Sequence, residues 1–430
     1  MRIRRLTAVI CTAAVLLSGC TSLSLNGHDI LAPPKAAGSR AELQKIIEKD
    51  SGGKYTLISP AAGDNKSSVI NHDFDNDGNE ETVALYTAAD GTARVLAATE
   101  KGSSYSLIGS SQLSSANISA VAFANVDADE TDELIISCDT GSQAATLSVF
   151  FMNEDMTKID AAKGFSGFIA GDLDKDNAAD ITVFIPASAK ATAKASMLSY
   201  ADGGFTEKTS CEADPAVEAY AHLSYGDISG GQYGIAADGV NENGEYSTQL
   251  IYFDSASKSL INPLFIYAGY DKTMRTSKIF ATATDSDGII KIPFCEPMRH
   301  TKDEDITKVC TAVQWNRYDP AQLTVVPASE AVLCDTMGFM LTLRHSKLDD
   351  LTARCDGKAS MTLYSVKDDE KSVLGKALLT INYSDKGEFD SGSDFVLYES
   401  GTGVYSCELS SDSDYSFEDV KNSFRPTNVE

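Results

Sequence analysis

Three stretches of this sequence set oxygen-bearing residues at alternate positions. The first carries Asp73, Asp75, Asp77, Asn79 and Glu81, with Gly78 between. The second carries Asn125, Asp127, Asp129, Thr131 and Glu133, and the third Asp172, Asp174, Asp176, Ala178 and Asp180. Counted from the lead residue, side-chain oxygens fall at positions 1, 3, 5 and 9. Position 7 (Asn79, Thr131, Ala178) is placed to add a backbone carbonyl. In a tight loop, alternate side chains turn toward one point. The result is a hard, all-oxygen shell of the kind Ca²⁺ takes, with roughly 6–8 ligands at about 2.3–2.6 Å. Carboxylates aimed at one point repel, so without a cation some must protonate or splay. Gly78 permits the sharp bend; Asn177 holds that place in the third loop and tolerates a left-handed backbone, whereas Glu130 holds it in the second.

The elements that must position these loops read as strands. Short runs alternate apolar and polar residues between Gly, Asp, Asn and Ser, as in Glu81–Tyr86, Ala93–Ala98 and Tyr105–Gly109, which is the pattern of antiparallel strands and turns. An apolar residue lies four places before each lead position (Val69, Val121, Phe168, Leu223) and another lies one place after it (Phe74, Val126, Leu173, Ile228). The lead positions 73, 125, 172 and 227 lie 52, 47 and 55 residues apart, about the length of one four-stranded propeller blade. The fourth copy keeps Asp227 but has Ser229, Gly231 and Ile235 where the other acids belong, and with those acids it has lost the expected metal. Asp285-Ser286-Asp287-Gly288 reads as a fifth, worn copy or as a tight turn. The loops are not EF-hands, because Ala84 stands at position 12, where a bidentate Glu is required.

The loops and their spacing resemble the FG-GAP and VCBS repeats of integrin-α-like β-propellers, over roughly residues 66–330. The layout of an N-terminal apolar segment ending in Leu17-Ser18-Gly19-Cys20, then a short helix, propeller and C-terminal domain, is similar to that of surface lipoproteins of Gram-positive bacteria. The resemblance implies a calcium-stabilised propeller used for binding or adhesion, without naming a ligand.

The N-terminal segment carries Arg2, Arg4 and Arg5, an apolar run from Leu6 to Leu17, and then Ser18-Gly19-Cys20. This is the order of a secretory signal, and its apolar run is short of the roughly 20 residues that span a bilayer. The ending resembles the bacterial lipobox, which implies cleavage before Cys20 and acylation of its thiol, with palmitate or a similar chain. Residues 1–19 are then the signal peptide and 20–38 the lipidated tether. Residues 39–332 hold a short helix, started by Ser39-Arg40-Ala41-Glu42 and ending near Asp50, and the propeller; 333–430 form a small α+β domain closed by a helix after Ser416. The expected fold class is mainly β.

Composition narrows the function. A net charge of −26, or −29 without the three leader arginines, argues against nucleic acid, which needs Lys and Arg against phosphate. It also argues against direct adsorption to anionic lipid, so the acyl chains must do the holding. Cys138, Cys211, Cys295, Cys310, Cys334, Cys355 and Cys407 remain after Cys11 and Cys20; none are in a Cys-x-x-Cys pair, and an odd number leaves at least one thiol free. No His pair, Gly-x-Ser-x-Gly or phosphate-cradling Gly-rich loop is present. His72 and His222, next to the loops, are expected to have a surface or packing role, and Trp315 to be a core or blade residue. The expectation is a non-catalytic, surface-tethered, calcium-binding module for a protein or glycan, held at the cell membrane outside the cytoplasm. The alternatives are a polysaccharide-active enzyme with its site in the propeller channel, or a structural envelope component.

Overall fold

The computed structural model describes residues 39–102, 104–141, 145–153, 156–267, 269–343, 347–357, 359–367, 371–389, 395–411 and 413–427. The signal segment, Cys20 and the tether lie outside the described residues.

Strands dominate, gathered into six antiparallel sheets. Sheet two is Asn117–Ala124, Glu133–Asp139, Thr146–Phe151 and Thr157–Lys163; sheet three is Gly167–Gly171, Asp180–Ile185, Lys194–Ala201 and Gly204–Glu212; sheet four is Val217–Asp227, Tyr233–Asn241, Tyr246–Asp254 and Ser259–Ile261. Each is a four-stranded meander in chain order. Sheet one repeats the plan with Val69–His72, Glu81–Thr87, Ala93–Lys101 and Ser104–Gln112, and adds the short strand Thr56–Leu57. The first strands of sheets two, three and four lie against one another, as do their last strands. This face-to-face stacking of meanders is propeller-like.

The second strand of each sheet explains its near-continuous apolar run. Glu81–Tyr86 is buried throughout, because both faces are covered. Val83 and Leu85 face sheet two, whereas Ala84 and Tyr86 face the helix Ser39–Asp50, which lays Leu43 and Ile47 on the outer side of sheet one. The C-terminal end of that helix is pinned by Asp50, which accepts from Arg94 Nε at 2.8 Å, from Ser110 Oγ at 2.6 Å and from the Tyr86 hydroxyl.

The repeated apolar residue at position 2 is the plug between neighbouring sheets. Phe74, Val126, Leu173 and Ile228 are at most 2% exposed. Phe74 joins sheet one to two, Val126 two to three, Leu173 three to four, and Ile228 four to five. Burying one such side chain contributes roughly 1.5–3 kcal/mol.

The boundary expected at 332/333 falls inside a strand. Thr324–Cys334 pairs with Thr311–Asp319 on one side and with Phe339–Leu343 on the other, and the chain end returns as Phe424–Pro426 to pair with the latter. The fifth sheet therefore has six strands drawn from both sides of that boundary. Sheet six (Leu351–Asp356, Ser360–Val366, Leu374–Asp385, Phe395–Glu399, Gly403–Leu409) shares one core with it. The closing helix, Phe417–Ser423, starts on a full capping box between Ser416 and Asp419. Trp315 is buried against Val313, Ala331 and Leu333.

Candidate metal centres

Each acidic loop joins the first strand of its sheet to the second, and position 9 is the opening residue of that second strand: Glu81, Glu133 and Asp180. The closing acid is thereby fixed by the sheet ladder, while positions 1 to 8 form the turn. The turn has a shared backbone device that the residue types do not announce. Position 4 is left-handed in all three loops, at Asn76 (φ 55°), Ala128 (φ 60°) and Lys175 (φ 64°), and again at Gly230 (φ 82°) in the fourth. Gly78 (φ 89°) and Asn177 (φ 74°) add a second left-handed step at position 6.

The loops bring three acid groups to a point. Carboxylate oxygens of Asp73, Asp75 and Glu81 lie within 4.8 Å of one another, as do those of Asp127, Asp129 and Glu133, and of Asp172, Asp174 and Asp180. Asp77 and Asp176 are not in these groupings: Asp77 accepts from the Asn79 N–H at 2.7 Å, and Asp176 from the Ala178 N–H at 3.0 Å. Asn125 sends its Nδ2 to the Asp129 carbonyl at 2.5 Å. Thr131 gives its N–H (2.6 Å) and its hydroxyl (2.8 Å) to Asp129.

Acid groups outnumber cations in the arrangement. Asn125 Oδ1, Asp174 Oδ1 and Asp180 Oδ2 are buried with no hydrogen-bond partner among the described residues, a state that costs free energy unless a cation supplies the missing contact. Burial pushes Glu133 up to about 8, with Asp127, Asp129 and Asp132 adding to the effect against the Val126 N–H. Burial likewise pushes Asp180 up to about 7, helped by Asp174 and Asp176 and opposed by Ser199 and Lys208. Glu81 is raised for the same reason, opposed by the Phe74 N–H and helped by Asp75 and Asp77. These three clusters could each hold a metal ion.

Two lysines show what such clusters require. Lys208 reaches into the third loop, to Asp174 and, at 3.3 Å, to Asp176. In sheet five the worn copy lies between strands Thr282–Ala283 and Ile290–Pro297, the place the acidic loops hold in their sheets. Aligned on Gly288 as position 6, its position 9 is Lys291. That ammonium is 1% exposed and donates to Asp285 at 2.7 Å and Asp287 at 2.8 Å. An ammonium side chain stands at the place where the three acidic loops bring their closing carboxylate. The fourth loop solves the problem differently: Asp227 accepts from the N–H groups of Ser229, Gly230 and Gly231 at 2.6–2.9 Å, and Ile235 is buried at position 9.

Adjacent loops are tied to one another. The Asp132 N–H bonds the Phe74 carbonyl at 2.8 Å, the Ala179 N–H bonds the Asn125 carbonyl at 2.6 Å, and Lys175 Nζ bonds the Gly231 carbonyl at 2.7 Å. His72 stacks on Phe123 and pairs with Asp132 at 2.8 Å, so it packs between sheets one and two as expected. His222 stacks on Phe280 and meets Asp238 at 3.3 Å. Ordering one loop therefore steadies the joint to the next sheet.

The raised acids set a pH dependence with a definite sign. Between the ordinary carboxylate value near 4.5 and about 8, Glu133 holds its proton in the folded, metal-free protein but not in the unfolded chain. Stability in chelator should therefore fall as pH rises through that window. Metal binding must displace the proton, so the stabilisation by metal should grow over the same window. Melting curves at pH 6 and pH 8, with metal and with chelator, check this; a metal-induced increment equal at both pH values contradicts it.

Two clefts lie away from the acidic loops. One, of about 1390 Å³, runs between residues 276–280 and sheets five and six and is lined by Phe280, Tyr383, Tyr398 and Tyr405, with Asp335 and Thr402. The other, of about 1120 Å³, lies on sheet five and includes Asp271, Glu296, Glu330 and Asp349.

No family model matches the chain, and no curated protein matches it. Among solved structures, the chain is similar to one described as the crystal structure of BBS1N in complex with ARL6DN, soaked with lead. The identity is 9% and the TM-score 0.32, over 85% of this chain and 98% of that one. A similarity at that level carries no argument about the chemistry of this chain.

Proposed function

We propose that this chain is a lipid-anchored, calcium-stabilised β-propeller of the FG-GAP/VCBS kind that binds a glycan or protein outside the cell and performs no catalysis. The observation that carries the reading is the recurrence of one device. Three successive sheets bring three carboxylates to a point at the same place, and a fifth sheet fills that place with a buried ammonium. All-oxygen ligands in a flexible loop favour Ca²⁺ over softer or stricter metals. Oxygens come from Asp73, Asp75 and Glu81 in the first loop, Asn125, Asp127, Asp129 and Glu133 in the second, and Asp172, Asp174 and Asp180 in the third. The signal segment ending at Cys20 supports export and anchoring.

The tyrosine-lined cleft between sheets five and six is the seat we assign to the ligand. Half-buried Tyr rings beside hydroxyl and carboxylate groups offer an apolar face with a polar rim, which suits a sugar ring. Among the described residues its lining holds one carboxylate, Asp335, whereas glycoside hydrolysis uses a pair. The cleft on sheet five favours the enzymatic alternative instead, because it gathers four acids. One experiment separates them. The chain is applied to a glycan array with calcium and with chelator, and bound glycans are then sized. Calcium-dependent retention of intact glycan, weakened at least about tenfold by Tyr398→Ala, supports the binding module. Shortened glycan, lost with Glu330→Gln, supports the enzyme, and no retention on any glycan rejects the assigned ligand class.

A further inference from the structure

Three of the nine cysteines meet in one place. Cys310, Cys334 and Cys355 are 4%, 1% and 6% exposed and belong to the core shared by sheets five and six. The Cys334 thiol interacts electrostatically with both Cys310 and Cys355. The Thr336 hydroxyl bridges the group, 3.6 Å from Cys334 Sγ and 2.8 Å from Cys355 Sγ. Nothing in the acidic loops or the clefts uses these groups.

The strand register adds the geometric condition for a covalent bond. Strands Thr311–Asp319 and Thr324–Cys334 pair Thr311 with Leu333, so one step further sets Cys310 opposite Cys334. Cys310 gives its carbonyl to the Met298 N–H at 2.9 Å and its own N–H to the Ala353 carbonyl at 3.2 Å. It thus faces Cys334 as a pair not joined through the backbone, where opposed Cα atoms stand about 4.5 Å apart and side chains come closest. That separation lies inside the roughly 4.4–6.8 Å range of disulfides. We infer that Cys310 and Cys334 are a cross-strand disulfide site, with Cys355 as the thiol through which oxidising equivalents enter.

Cys355 is suited to entry because it lines a surface recess of about 270 Å³ beside Lys308 and Arg354. The oxidant is a small-molecule disulfide, RSSR. The Cys355 thiolate attacks one of its sulfurs, forming a mixed disulfide and releasing RS⁻. Cys334 then attacks the Cys355 sulfur and releases the second RS⁻. Cys310 finally attacks Cys334, the bond moves to Cys310–Cys334, and Cys355 returns as a thiol. In sum, two thiols and RSSR become one protein disulfide and two RSH, the two protons passing to the released thiolates.

The test uses the purified full chain with oxidised glutathione, followed by alkylation in denaturant and mass mapping without reduction. The expected product is a single linked peptide joining Cys310 to Cys334, reversed by dithiothreitol, with a melting temperature a few degrees above that of the reduced chain. Cys355→Ser should give the same product at least about tenfold more slowly. Cys310→Ala should stop the exchange at a Cys334–Cys355 link, the step before the final transfer, and its reduced form should melt close to the reduced parent, showing that it folds. Full alkylation of Cys310 and Cys334 after prolonged exposure to oxidant overturns the proposal. So does, in the parent chain, a link through any other cysteine as the end product.

Discussion

In excess chelator the protein should melt roughly 5–10 °C below its value at saturating free calcium. The size follows from linkage: a ligand at 100 times its dissociation constant stabilises the native state by about 2.7 kcal/mol per site. Two sites give about twice that, and at an unfolding entropy of about 2.1 cal/mol/K per residue a chain of this length shifts by about 1–2 °C per kcal/mol. The first and second loops should carry most of the change. In the third, Lys208 already lies on Asp174 and Asp176, so a protein cation partly meets the need and must be displaced before metal binds. Glu133→Gln should remove much of the response, because Glu133 is buried, closes the second cluster and carries its strongest electrostatic burden. A melt identical in calcium and chelator would falsify the metal reading. A response that survives the combined change Glu81→Gln and Glu133→Gln would place the metal elsewhere.

Most of this design was legible in the residues because it repeats. The acids at positions 1, 3, 5 and 9 and the apolar residue at position 2 recur at the length of one meander. The structure puts the recurring acids at one strand junction and the recurring apolar residue between sheets. The parts that stayed hidden are those that do not repeat as residue types. The left-handed step at position 4 falls on Asn76, Ala128 and Lys175, three side chains with nothing in common, so it is a backbone property without a sequence mark. Asp285-Ser286-Asp287-Gly288 read equally as a turn because its compensation is a lysine three residues later; the rule linking it to the other loops is charge balance rather than identity. The expected boundary at 332/333 lies inside a strand for a related reason. Loss of the repeat near Cys334 signals that blades of one length stop, but the strand Thr324–Cys334 carries on into a pairing with Phe339–Leu343. Loss of a sequence pattern and loss of a hydrogen-bond ladder are different events.

A second large effect is expected where no repeat pointed. Asp238 and Arg275 have fully buried side chains and meet at 2.7 Å. Asp238 also accepts from Thr248 Oγ1 at 2.6 Å, from the Ala281 N–H at 2.9 Å and lies 3.3 Å from His222 Nδ1. Arg275 spends its other donors on the carbonyls of Thr273 and Ile279, both at 2.7 Å, and on the Thr248 hydroxyl at 3.0 Å. The pair thus fastens the irregular stretch 273–281 across sheet four, next to the Phe280 side of the tyrosine-lined cleft. Two charges removed from water gain little over an apolar pair, but stranding one of them is severe, at about 3–5 kcal/mol. Arg275→Met should therefore lower the urea midpoint by an amount matching that cost, with an unchanged denaturant slope. Adding Asp238→Asn to Arg275→Met should restore part of the loss, because the amide no longer carries a charge that must be paired. The response to calcium should stay as in the parent, since neither residue is in an acidic loop. A loss under about 1 kcal/mol in Arg275→Met would mean that water reaches Asp238, and that the stretch 273–281 is held by its backbone bonds alone.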